Sequence, residues 1–461
     1  MPQVAIVANR APFSLTSSAA GPQVRRAAGG LVNTFDPLRG RKDVSWFAVA
    51  MSDAEREAAR EGPVTEQGFE TRFIAVEPEA YNHAYNEVYN GTLWPMCHGM
   101  VGWASRRSAD PSWNDLWEGY RTYNRQVGEA IAADIPDGAI VLAQDLYFAL
   151  LTSSSTLFDG NAFKSVLFAH LPFASPKELA VLPASAAREM LSSMGRFDAV
   201  GFQVQRWRRD FIRCCRSLGV ESPRTFVAPA APPMSRLKTE SASSACDGEL
   251  AHLESILDGR QMLAQLDRME PVKNIHGSLQ AFGIMLARHA DIRGKVIFIV
   301  LAQPTRQDLA DYRDYAVHVR RLCRAINEKH GSPSWQPVHL NEGFLHFLHL
   351  AALRRYDVLL VNSIRDGMNL IAIEGPQLNE RDGASIISPE VGAFEHQRGW
   401  VWQSNPHNAA VTAEAMYNAL TVDSTRRLQL FMGLRTAVAA ASKDNEFVSR
   451  QIRAAIGRSG F

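Results

Sequence analysis

Short apolar runs alternate along the chain with longer segments whose apolar residues recur at helical spacing, a pattern that predicts parallel strands joined by helices. One series of strands is expected over 4–8, 44–50, 73–76, 139–143, 165–169 and 199–202. A second is expected over 262–266, 296–301, 358–361, 385–388 and 399–402. The runs are rich in Val, Ile and Ala and apolar on both faces, as strands covered by helices on each side of a sheet tend to be. Between the two series lies Val227-Ala228-Pro229-Ala230-Ala231-Pro232-Pro233, which neither a helix nor a central strand tolerates. This places a boundary near residue 232 and predicts two Rossmann-like, doubly wound α/β domains, 1–232 and 233–461, facing across a deep cleft. The last helix, near 445–456, has Val448, Ile452, Ala455 and Ile456 at helical spacing and is expected as core cover in the second domain.

Composition narrows the classes of partner. Lys plus Arg is 49 and Asp plus Glu 48, a net charge of +1, so the chain has no basic field for nucleic acid. Any anion must be held by a few placed cations. The five cysteines show no paired metal or disulfide spacing, which fits reduced thiols in a cytoplasmic protein. The N-terminus reads as no signal peptide, and no stretch approaches the ~20 apolar residues that cross a bilayer, so no membrane partner is expected.

Three segments draw the chemistry to themselves. Asn362-Ser363-Ile364-Arg365-Asp366-Gly367-Met368-Asn369-Leu370 leaves one strand and runs into Ile371-Ala372-Ile373-Glu374, a helix start. Such a turn presents backbone N–H groups to an anion, with Asp366 near a sugar hydroxyl and Glu374 in reach of a ribose. A capped helix with Asp366 satisfying backbone donors accounts for the same spacing. Leu266-Asp267-Arg268-Met269-Glu270-Pro271-Val272-Lys273-Asn274 follows another strand of the same domain. Arg268 as a fork and Lys273 as a point charge can converge there on one diphosphate, or form an ordinary exposed loop. In the first domain, Asn9-Arg10 ends a strand and Gly29-Gly30-Leu31 permits close backbone approach. Tyr85-Asn86-Glu87 and Leu93-Trp94-Pro95 read as an aromatic loop that stacks on a sugar or anchors itself. His170, before Leu171-Pro172, is placed to meet a substrate hydroxyl or to be a satisfied core histidine. A phosphate-loop lysine, a metal-binding His-x-x-x-His pair, a Gly-x-Ser-x-Gly elbow and a metal-chelating acidic triplet are all lacking.

In order and spacing, from Val7 to about Pro406, these segments resemble the trehalose-6-phosphate synthase family. The resemblance rests on Ala8-Asn9-Arg10, Gly29-Gly30-Leu31, Tyr85-Asn86, Leu93-Trp94-Pro95, His170-Leu171-Pro172-Phe173, Leu182-Pro183, Gly201-Phe202, Asp267-Arg268 with Lys273, Pro304-Thr305-Arg306 and Arg365-Asp366-Gly367-Met368-Asn369-Leu370. It implies the glycosyltransferase-B fold, transfer with retention, and no cofactor or metal. The partners it implies are a nucleotide-sugar donor and a sugar-phosphate acceptor, and it leaves room for a homo-oligomer. By matching position, Arg268, Lys273 and the Gly30 backbone would grip the donor diphosphate. Phe344, Asp366, Gly367, Met368, Asn369, Leu370 and Glu374 would hold the rest of the donor. His170 would contact the transferred sugar and Asp145 a hydroxyl at the reaction centre. Arg10, Trp46, Tyr85, Trp94 and Arg306 would hold the acceptor and its phosphate.

The chain also departs from the family. Gln144-Asp145-Leu146-Tyr147-Phe148 stands where many members read His-Asp-Tyr-His-Leu. Ile373 replaces a frequent lysine, and His349 an aliphatic residue near the base pocket. The expected activity is glucosyl transfer from UDP- or GDP-glucose to glucose 6-phosphate. The alternatives are a pseudoglycosyltransferase joining a nucleotide-activated cyclitol to an aminocyclitol phosphate, and a non-catalytic sugar-phosphate sensor.

Overall fold

The apolar runs form strands in the computed structural model, which describes residues 3–18, 21–26, 30–154, 163–307, 309–343, 345–441 and 446–457. Two compact units result, one built from 1–230 with 444–461 and the other from 231–443.

The first unit contains β1 (Val4–Ala8), β2 (Phe13–Ser18), β3 (Gly21–Arg26), β4 (Val44–Val49), β5 (Val64–Glu66), β6 (Phe69–Ile74), β7 (Ile140–Gln144), β8 (Lys164–Ala169), β9 (Ala199–Phe202) and β10 (Arg224–Val227). Eight of these form one sheet in the order β10-β9-β8-β7-β1-β4-β6-β5, while β2 and β3 pair as a separate hairpin. All the pairs in the large sheet are parallel except β5 with β6. Residues of β1 are buried on both faces, and each Val or Ile so buried contributes about 1.5–3 kcal/mol. That term is why the apolar runs alone locate the sheet. From β1 the chain first builds towards β4 and β6, then returns to lay β7 on the other side. The reversal leaves a crevice at the carboxyl ends of β1 and β7, where Asn9-Arg10 and Asp145 emerge.

The second unit contains β11 (Gln261–Arg268), β12 (Val296–Gln303), β13 (Val338–Asn341), β14 (Val358–Val361), β15 (Ala384–Ile387) and β16 (Trp402–Gln403). They form one parallel sheet in the order β13-β12-β11-β14-β15-β16, the dinucleotide-fold order. Its reversal lies between β11 and β14, whose carboxyl ends lead into the two cation- and glycine-bearing segments.

The last helix, Glu446–Ala455, corrects the sequence expectation: it belongs to the first unit, not the second. Phe447 sits edge-on to Phe35 and Phe168 with centroids 5.8 and 4.8 Å away, and Arg450 donates to the Val227 carbonyl at 3.1 Å. Helical spacing revealed an apolar stripe but not which sheet it covers. The aromatic segment expected as a loop is also helical: a π-helix over His83–Leu93 continues into the helix Trp94–Cys97. The polar hairpin β2–β3, three-residue β5, and β10 and β13, with Arg224, His339 and Asn341 in them, gave too weak an apolar signal to be foreseen. All five cysteines are buried. No helix among the described residues is long and apolar enough to cross a membrane.

Candidate functional site

At the reversal of the second sheet, Lys273 is almost buried and lies between two carboxylates. Its Nζ is 2.5 Å from Asp366 Oδ2 and 3.4 Å from Asp267 Oδ1. Burial disfavours the ammonium, but Asp366 and then Asp267 outweigh it and hold the lysine pKa above its ordinary value. Burial pushes Asp267 up to about 6, with Lys273 pulling the other way. Arg268 is near enough for its charge to oppose that of Lys273. Its own partner is Glu270, completely buried, at 3.2 Å. Arg306, from the loop after β12, reaches the same Glu270 oxygen at 3.6 Å and donates to the Tyr312 hydroxyl at 2.6 Å. One buried carboxylate thus gathers two guanidiniums beside a lysine. Glu270 lay within the segment singled out from sequence, yet a loop glutamate gives no sign that it will be buried.

Asp366 organises the turn after β14. Its carboxylate accepts from the Gly367 backbone N–H at 2.9 Å and the Asn369 side-chain amide at 3.1 Å. The turn is closed from outside by Gly392, whose Cβ, were it present, would lie 1.9 Å from the Gly367 carbonyl oxygen. Leu370 immediately precedes the helix Ile371–Leu378, so Gly367, Met368, Asn369 and Leu370 lead directly into a helix N-terminus. Glu374, on that helix, is pushed up to about 7 by burial, against the nearby Arg236. Gly30 opens the helix Gly30–Thr34 in the first unit. Phe344 and Gly29 lie outside the described residues.

The crevice of the first sheet is lined by a ladder of tyrosines. Tyr85 stacks between Tyr81 and Tyr147, with centroids 5.3 and 5.7 Å away, and Tyr147 stacks on Tyr89 at 3.5 Å. Arg10 donates to the Tyr85 hydroxyl at 3.1 Å, and the Tyr89 hydroxyl donates to Asp145 Oδ2 at 2.7 Å. Burial pushes Asp145 up to about 6, opposed by Tyr89 and by the backbone N–H groups of Leu146, His170 and Leu171. Tyr120 donates to the Leu146 carbonyl and Asn124 to that of Tyr147, which pins the turn. His170 follows β8, and burial lowers its pKa to about 3, so the ring is neutral.

Two residues expected at the acceptor are buried. Trp46 is completely buried and its indole N–H donates to the Arg10 carbonyl at 3.0 Å, so it positions Arg10. Trp94 is nearly buried against His98, with ring centroids 4.1 Å apart. Arg306 is gathered in the second unit with Arg268, whereas Arg10, Tyr85 and Trp94 belong to the first. Sequence reasoning missed Tyr89, four residues beyond Tyr85 in the π-helix, although that spacing was visible.

Backbone conformation independently marks the same loops. Asp145, Asn274, Arg306 and Asn369 have φ of 76, 55, 49 and 60°. They account for four of the seven left-handed non-glycine residues described, and each lies just beyond a strand bearing a candidate group. Such strain, on the order of 1–3 kcal/mol per residue, persists where packing over-determines it and clusters at functional sites.

The raised Glu374 pKa has a testable consequence. Its folded-state value exceeds its unfolded one, so its contribution to stability is full below about pH 4.5 and is lost as pH rises through about 7. Glu374→Gln has no such loss. Calorimetry is expected to show the variant's melting temperature gaining on the wild type's between pH 5 and pH 8; a constant difference would contradict the raised carboxyl pKa.

Comparison with known proteins agrees in extent and fold. The family model described as glycosyltransferase family 20 matches residues 2–449. The α,α-trehalose-phosphate synthase (UDP-forming) of Schizosaccharomyces pombe is 28% identical over 445 residues, covering 92% of this chain and 84% of the relative. That of Emericella nidulans is 27% identical, covering 93% and 87%. Among solved structures, the Burkholderia xenovorans synthase in complex with glucose-6-phosphate superposes with a TM-score of 0.85 at 21% identity, covering 99% of this chain and 100% of that one. A protein from E. coli bound with UDP-2-fluoro glucose gives 0.84 at 21% identity, covering 99% of both chains.

Proposed function

Since the chain belongs to glycosyltransferase family 20, we propose that it transfers a glucosyl unit from a nucleotide-glucose donor to glucose 6-phosphate, forming α,α-trehalose 6-phosphate with retention. The fold is glycosyltransferase-B and the protein is an enzyme. The observation that carries the reading is the second-sheet reversal, where Lys273 is bonded to Asp366 at the turn leading to a helix N-terminus. The relatives' description as UDP-forming favours uridine diphosphate as the leaving group.

In this reading the acceptor hydroxyl enters on the face from which the diphosphate departs. Positive charge develops at the sugar carbon and negative charge on the leaving phosphate. Arg268, Lys273 and the N–H groups at the helix start beyond Gly367 bind that growing charge more strongly in the transition state than in the ground state. Asp366 orients Lys273 and takes sugar hydroxyls, and Glu374 takes the ribose. Asp145, held by Tyr89, contacts a hydroxyl at the reaction centre. Arg10 with Tyr85, and Arg306 with Tyr312, bind the acceptor phosphate. These cations do the work a metal does in other transferases, so no metal is needed. Excess chelator is expected to leave the initial rate unchanged within about twofold, against the hundredfold or larger losses typical when a catalytic charge is removed.

The tyrosines stacked with Tyr147, next to Asp145, favour one second reading, coupling of a nucleotide-activated cyclitol to an aminocyclitol phosphate. Nucleoside diphosphate release with UDP- or GDP-glucose and glucose 6-phosphate tests the first. Release only with a nucleotide-activated cyclitol and an aminocyclitol phosphate would replace it with the second.

A further inference from the structure

His170 is gripped by two side-chain amides. Gln144, the last residue of β7, places Oε1 2.9 Å from His170 Nε2, and Gln203, just past β9, places Nε2 3.4 Å from Nδ1. The orientation of each amide is fixed by its other bonds. Gln144 Nε2 donates to the Leu142 carbonyl at 3.0 Å and to Gln451 Oε1 at 3.1 Å, so the oxygen is the end that faces the ring. Gln203 Oε1 accepts the Ala230 backbone N–H at 2.8 Å, so its NH2 turns to the ring. An amide oxygen at Nε2 calls for a proton there, and an amide NH2 at Nδ1 calls for a lone pair. One state meets both demands: the neutral imidazole protonated on Nε2. An imidazolium would set Nδ1–H against the Gln203 NH2, donor against donor. Turning Gln203 round would strip Ala230 N–H of its acceptor.

We propose that Gln144 and Gln203 are positioning residues that hold His170 as the Nε2–H tautomer, so that the ring offers a substrate hydroxyl an acceptor at Nδ1 and never acts as an acid. The hydroxyl would take over the long 3.4 Å contact from Gln203. The surroundings agree. Phe168 and Phe447 flank the ring with centroids at 4.9 and 5.8 Å. The neighbouring charged group, Asp145, takes the backbone N–H of His170 and leaves the imidazole alone. The returning C-terminal helix is the rear support, through Phe447 and Gln451.

Only the identity of the hydroxyl rests on the proposed function; the tautomer is a property of the free protein. Nitrogen-15 spectra of the full chain, with His170 assigned by its loss in His170→Gln, are expected to show Nε2 protonated and Nδ1 unprotonated from pH 8 to pH 5. Gln203→Glu presents a carboxylate oxygen to Nδ1. It is expected to raise the midpoint by about two pH units or more and to make turnover fall as pH drops through it. Protonation of Nδ1 in the wild type, or wild-type titration near pH 6.5 as in an unperturbed histidine, would overturn the proposal. The wild-type spectrum decides even if the variant does not fold, and failure of glucosyl transfer would sink the functional reading without altering that spectrum.

Discussion

Lys273→Met is expected to destabilise the second unit by about 3–5 kcal/mol, the range for removing one partner of a buried ion pair. The aliphatic stem survives, so the loss is electrostatic. Asp267 and Asp366, with side chains only 4% and 14% exposed, would be left facing each other without the ammonium between them. The sign of the pH dependence follows. Burial already pushes Asp267 up to about 6 against the pull of Lys273, and losing the ammonium removes that pull, so the variant is least impaired at low pH, where Asp267 is protonated. The deficit grows as pH rises through its folded value. Denaturant unfolding at pH 5 and pH 8 measures this, and Lys273→Met with Asp366→Asn should recover much of the loss at pH 8. A single variant within about 0.5 kcal/mol of wild type at both pH values would mean that the lysine is not what holds these carboxylates together.

The candidate residues of the two units differed in how much of them the chain disclosed. The strands that lead to Lys273 and Asp366 are apolar on both faces, so 262–266 and 358–361 marked β11 and β14 closely, and the residues just past them had to lie at the sheet's edge. Lys273 and Asp366 were legible as candidates for that reason, with their roles assigned by the family resemblance. Their mutual bond was not, because the loop from β11 to the helix Ile275–Arg288 folds back through a left-handed Asn274, and no spacing rule encodes such a return. The pairing of Glu270 was hidden too, because Arg268 comes from the end of β11 and Arg306 from the loop after β12. In the first unit the tyrosines were visible, but their ladder depends on a π-helix, whose wider turn an α-helical or loop reading cannot anticipate. The amides on His170 were hidden for a further reason. Gln144, Gln203 and Gln451 come from three distant parts of the chain, and the last was expected in the other domain.

Arg268→Ala is expected to reduce kcat/KM by about 2–4 kcal/mol, roughly 30- to 1,000-fold, by analogy with removing one donor to a developing oxyanion. The contrast with Lys273 makes it informative. The Arg268 side chain is 49% exposed, so its pairing with Glu270 contributes little to stability and the variant should fold normally. A fall in rate then reports on chemistry. Because the charge on the leaving phosphate grows along the reaction, kcat should fall more than nucleoside diphosphate affinity measured by calorimetry. Arg268→Lys keeps the charge but loses the two-pronged fork, and should lie between alanine and wild type. Initial rates of diphosphate release from all three proteins, each with an unchanged melting temperature, make the comparison. Alanine turning over within about twofold of wild type would remove Arg268 from the phosphate clamp and leave Lys273 and the helix N-terminus to stabilise the leaving group without it.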